Sequence, residues 1–162
     1  MKSAKEDMEK WDALLDEYEK SLGLPKYIPN NLPEDELQNY ISMQRNEIEK
    51  LTKDDCAEII VRLTQFAFHV QRSLNREISR YNWADDYIKE VIADEINNYK
   101  GYGYNEKSIQ AIKHNDKASS LSSIRRYAKQ RVDRLSYLSN CIKNLSDAIQ
   151  NIQINKVKNG SQ

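Results

Sequence analysis

Glycine and proline are scarce in this chain: four glycines and three prolines among 162 residues. So few helix breakers, with 31% of the residues charged, suit long amphipathic helices better than a thick globular core. No apolar run approaches about 18 residues, which excludes a transmembrane helix, and the opening "MKSAKEDMEKW" is too acidic and polar for a signal peptide. Cysteine is nearly absent. Cys56 and Cys141 lie at helix-like apolar positions without CxxC spacing, so neither a disulfide framework nor a zinc site is expected, and a reduced, cytoplasmic setting fits. His69 and His114 are the only histidines, and neither has a Ser or Cys partner at a recognisable spacing, which leaves no catalytic triad. No GxxxxGK[ST] or GxGxxG occurs. The chain is therefore expected to be no enzyme and to need no cofactor.

What the sequence does have is a separation of charge. Residues 1–60 hold 8 basic and 15 acidic side chains, a net of −7, whereas residues 100–162 hold 12 and 4, a net of +8. Either the basic half meets an anionic partner, or the two halves attract each other.

Helical periodicity fills most of the chain. Met8, Trp11, Leu14, Leu15, Tyr18 and Leu22 mark a first helix over residues 4–22. "GLPKYIPNNLP" (23–33) carries all three prolines and reads as a linker, with Pro33 opening a second helix that runs to about residue 50. Thr52 caps a third, along which Cys56, Ile60, Leu63, Ala67, Val70, Leu74, Tyr81, Ala84, Ile88 and Val91 form a seam that weakens at Glu77. No breaker interrupts residues 53–100, which predicts a helix about 70 Å long with a kink near "YNWADD" as the one allowance. A second seam joins Leu121, Ile124, Ala128, Val132, Leu135, Leu138, Ile142, Leu145, Ile149 and Ile152, with a mean step near 3.5. Between the seams lies "KGYGYNEKS", where Gly101 and Gly103 are expected to allow a chain reversal and Asn105 to cap the next helix.

These patterns predict an all-α fold: a long, coiled-coil-like antiparallel helical hairpin with an N-terminal helical arm. Residues 1–33 form the acidic arm and linker, 34–157 the helical core with its tip near 101–105, and 158–162 a polar tail. The exposed seam favours a homo-oligomer, because an isolated two-helix hairpin buries little area for its length.

The candidate site lies in the basic half. Lys107, Lys113 and Lys117 lie beyond the tip, and "RRYAKQR" supplies Arg125, Arg126, Tyr127, Lys129 and Arg131, with Arg134 further on. Cations interleaved with rings suit single-stranded nucleic acid, since cations track phosphates and aromatic rings stack on bases. Tyr102 and Tyr104 add two more rings. The competing reading makes the tyrosines packing for the tip and the cations a solvated face. Asp86, Glu90 and Asp94 form one acidic row, better explained as a solvated or paired face than as a metal site.

The long helix ending in "EINNYKGYGY", the polar "AIKHNDKASSL" and the basic "RRYAKQRVDRLSYLSNCIKNLSDAI" together resemble bacteriophage recombination mediators of the UvsY type, over roughly residues 60–155. The resemblance implies a non-enzymatic accessory protein of phage DNA recombination that binds single-stranded DNA as a ring-like oligomer. It would help load a recombinase onto DNA covered by a single-strand-binding protein, and the basic positions would line the DNA path. The acidic arm departs from that pattern; it would contact a partner protein or cover the basic face. The rival from another class is a structural or adaptor protein of phage assembly acting through helix–helix contacts.

Overall fold

The computed structural model describes residues 3–26 and 34–160, and among them every regular element is helical. The expected Pro33 helix start and the linker from residue 27 onward lie outside the described residues.

Helix α1 (Ala4–Ser21) begins at a capping box: the Glu6 N–H donates to Ser3 Oγ at 3.2 Å and the Ser3 N–H donates to Glu6 Oε2 at 3.1 Å. It ends in a Schellman turn, with the Leu24 N–H donating to the Glu19 carbonyl and the Gly23 N–H to that of Lys20. Gly23 sits at φ 77°, the only positive φ among the described residues.

The second helix predicted to run to residue 50 is two: α2 (Glu34–Ser42) and α3 (Arg45–Ile48). Side chains compete for the backbone at the join, where Ser42 Oγ donates to the Asn39 carbonyl and Gln44 Nε2 to that of Ser42. Gln44 then starts α3, its N–H donating to Glu47 Oε2 at 2.7 Å.

Thr52 caps α4 (Lys53–Ile92) as expected, accepting from the Asp55 N–H at 3.1 Å while Asp55 Oδ2 accepts from the Thr52 N–H at 3.0 Å. The helix is continuous for 40 residues but stops short of residue 100. Beyond it the hydrogen bonds tighten to the third residue back (Ala93 to Glu90, Glu95 to Ile92), and a 3₁₀ turn comes next at Ile96–Asn98. The tightening keeps Ile92 and Ile96 both buried.

The basic half also breaks more often than its seam suggests, into α5 (Tyr104–His114), α6 (Asp116–Leu135) and α7 (Leu138–Gly160). At the tip, Gly103 rather than Asn105 is the residue before the helix, and Glu106 Oε2 accepts from the Tyr102 N–H at 2.9 Å. Neither Gly101 nor Gly103 adopts a positive φ. Gly101 lies close to the next helix, where a Cβ would meet Glu106 Cβ at 3.0 Å, whereas Gly103 has open space. Asn115 is the true cap of the region: its Oδ1 accepts from the Ala118 N–H at 3.0 Å. Helix α7 stays helical to Gly160, with no proline to stop it.

The chain divides into two compact units. The described residues of Met1–Ile28 and Asn75–Val132 form the first, centred on Ile88, Ile92, Ile96, Ala118 and Leu121. The described residues of Pro29–Leu74 and Asp133–Gln162 form the second, centred on Cys56, Leu63, Val70, Ile142 and Ile149. In the first, α4 packs against α6; in the second, against α7, the hairpin pairing the two seams predict. All ten positions of the second seam are buried or half-buried.

Two apolar readings hold only in part. In and after α1, Met8, Trp11 and Leu15 are half-buried, whereas Leu14, Tyr18 and Leu22 are about 60% exposed. Cys141 is exposed, whereas Cys56 is buried and its thiol is pushed up by that burial. No helix among the described residues is long and apolar enough to cross a membrane.

Candidate nucleic-acid interface

A helix turns each residue about 100° from the last, so a run of cations in sequence is not a patch in space. On α6 the buried stripe is Ala118, Leu121 and Ala128. Arg125 and Arg131 flank that stripe and reach back to α4, Arg125 Nη1 meeting Asp85 Oδ1 at 2.6 Å and Arg131 Nε meeting Glu77 Oε2 at 2.9 Å. Lys89 and then Arg125 hold the Asp85 carboxyl below its ordinary range. Glu77, where the first seam looks weak in sequence, faces inward after all; only 7% exposed, it is also met by Arg80 at 2.6 Å.

Lys117 is enclosed too. Its ammonium donates to the Tyr87 hydroxyl and pairs with Asp7 Oδ2 at 3.0 Å, and the Tyr87 hydroxyl donates to Asp7 at 3.2 Å. These bonds, Tyr87 foremost, push the lysine up, while Lys117 foremost holds the Asp7 carboxyl down.

The remaining candidates face outward. Arg126 is exposed, its guanidinium 5.9 Å from the ring centre of Tyr127, which is itself 54% exposed. Lys113 and Lys129 are exposed and Lys107 is half-buried. Tyr102 stands fully in solvent and Tyr104 is 60% exposed. Tyr99, by contrast, packs the tip, stacked on His114 at 5.7 Å. Arg134 is exposed but belongs to the second unit. In the first unit the structure thus exposes Lys113, Arg126, Tyr127, Lys129, Tyr102 and Tyr104, while Lys117, Arg125 and Arg131 hold helices together.

All three residues of the acidic row are exposed, and one of them, Asp86, meets Lys89 at 3.0 Å.

Sequence reasoning misses a second set of cations. Arg76 and Arg80 project from α4 onto the acids of α1. Arg80 grips Asp12 with two parallel bonds, from Nε at 2.9 Å and from Nη2 at 2.7 Å. Arg76, 6% exposed, meets Asp16 and Glu19 at 2.9 Å each. Trp11 stacks on Trp83 beside them, ring centres 6.4 Å apart at 18°. A signal exists in the spacing: Arg72, Arg76 and Arg80 repeat every four residues, and so do Asp12 and Asp16.

Comparison with protein-family models, with curated proteins and with solved structures returned no match.

Proposed function

We propose that this protein is a non-enzymatic, single-stranded-DNA-binding accessory factor of phage-type recombination or replication, working as a homo-oligomer alongside a recombinase or a single-strand-binding protein. One observation carries the reading. Tyr102, Tyr104 and Tyr127 hold large rings in solvent on the same unit as Lys113 and Arg126, cations with no acidic partner among the described residues. Exposed rings supply stacking of about 1–3 kcal/mol per base without regard to sequence, and open cations supply phosphate contacts. The charge of residues 100–162 has the matching sign, and the resemblance to UvsY-type mediators points the same way.

The test is fluorescence anisotropy of a labelled oligo-dT at two salt concentrations. Binding is expected to weaken steeply with salt, and Lys113→Ala with Arg126→Ala to flatten the slope of log K against log salt by about 1.4, at about 0.7 per phosphate contact on a single strand. Tyr102→Ala with Tyr127→Ala should lower affinity at both salts alike. Arg125 and Arg131 are poor choices for this test, since their loss strips partners from Asp85 and Glu77.

The rival reading, an adaptor working through helix contacts, is favoured by those same ion pairs and by the outward Leu14, Tyr18 and Leu22. An absence of oligo-dT binding at low salt would hand the function to it.

A further inference from the structure

Helix α1 turns a mixed face inward. Ala4 is buried and Met8, Trp11 and Leu15 are half-buried, while Leu14 and Tyr18, with Leu22 just past the helix, face solvent. Beside that apolar row the half-buried Asp7, Asp12 and Glu19 and the exposed Asp16 meet cations of α4 and α6. Besides this short apolar row, the helix commits four carboxylates to cations and stacks one indole. The fit is incomplete: Trp11 Nε1 is buried with no hydrogen-bond acceptor among the described residues, a cost that release of the helix would remove.

What lies beneath is a coherent surface. Arg76 and Arg80 stand one turn apart on α4, Lys117 approaches from α6, and Trp83 and Tyr87 lie in a tilted pair with ring centres 5.7 Å apart. A guanidinium that takes a carboxylate through two parallel N–H bonds, as Arg80 does, takes a phosphate by the same geometry. A ring that stacks on an indole also stacks on a base. The carboxylates of α1 stand where phosphates would, and Trp11 stands where a base would.

We infer that the surface formed by Arg76, Arg80, Lys117, Trp83 and Tyr87 is a second binding site for single-stranded nucleic acid, and that α1 fills it as an internal mimic which the strand displaces. The inference rests on the function proposed above and adds to it a covered site and the element that regulates it. Displacement exchanges carboxylates for phosphates on cations that are already neutralised, so it releases few counterions; filling the site after α1 has lost its charges releases more.

Two measurements on the full chain test this. The first is hydrogen exchange with and without oligo-dT. A displaced 18-residue helix has no partner and frays, so exchange across Ala4–Ser21 should rise on saturation. The second compares Asp12→Asn with Glu19→Gln, the mimic weakened, against Glu9→Gln with Glu17→Gln, the same charge removed from exposed positions of α1. The first pair should bind oligo-dT about tenfold more tightly and with a slope steeper by about 1.4, two more phosphate contacts, while the second pair changes affinity by less than about twofold. Unchanged or slower exchange in α1 on saturation overturns the inference whatever the variants do, and so does equal tightening by both pairs. In either case the binding itself leaves the proposed function standing. No binding by wild type or by either variant at low salt overturns the function and the covered site together.

Discussion

Arg126 and its neighbour Arg125 are chemically the same residue and structurally opposite ones. The step between them carries Arg125 to Asp85 and leaves Arg126 beside a tyrosine in solvent. The cluster "RRYAKQR" is legible as charge but not as a surface, because the direction each side chain takes depends on which stripe of α6 is buried. Arg131, though half in solvent, also reaches back to α4, where it meets Glu77. Its removal should therefore cost folding stability, since a carboxylate only 7% exposed loses one of its two cations. Arg131→Ala is expected to lower unfolding free energy by about 1–3 kcal/mol, because the buried Glu77 Oε2, which accepts no hydrogen bond, then also loses the cation that faces it. Arg126→Ala should change it by less than about 0.5 kcal/mol. Urea denaturation of the two variants decides: equal losses would mean that Arg131 is as peripheral as Arg126.

Among the elements, the long periodic stretches are legible in the sequence and their interruptions are not. Proline and glycine are the breaks a sequence advertises, and α4, α5 and α6 all end without either. The break before α6 depends on Asn115, whose side chain accepts from the Ala118 N–H and donates to Glu95 Oε1 at 3.3 Å. One amide therefore closes a helix end and ties it to the segment after α4, and no pattern in apolar spacing reveals that. Glycine misleads in the other direction. The pair at the tip draws attention, yet the conformational demand falls on Gly23, at φ 77°. Asn115→Ala should cost about 1 kcal/mol as a lost cap, and Gly23→Ala about 1–2 kcal/mol for a side chain in the left-handed region. Gly103→Ala, with nothing within 4 Å of the added carbon, should stay within about 0.5 kcal/mol. Thermal melts of the three would contradict this ordering if Gly103→Ala were the most damaging. The first helix shows the same limit from another side. Its spacing reveals a helix and, through Met8, Trp11 and Leu15, part of the inner face, but not the acidic part, because the partners of Asp12, Asp16 and Glu19 lie more than 50 residues away on α4.

For the molecule as a whole, the sequence shows two seams and the fold shows two cores, and these are different divisions. Each seam is shared between the units, so that α4 contributes Cys56, Leu63 and Val70 to one core and Ile88 and Ile92 to the other. Periodicity reports which side of a helix is inward; it carries no mark where one core stops and the next begins. Glu77, buried just past the division at Leu74, is the nearest thing to such a mark. Cores that share a helix but no buried residue should open separately, because local unfolding respects cooperative units of packing rather than units of secondary structure. Leu63, with no exposed surface, is the place to test it. Leu63→Ala should cost about 2–5 kcal/mol by lost transfer energy and the cavity left behind. That loss should be felt in hydrogen exchange across α7 and the first half of α4. Amides of α5, whose buried Ala111 belongs to the other core, should keep their wild-type rates. Faster exchange everywhere, by one common factor, would show that the continuous helix α4 makes the two cores a single cooperative unit.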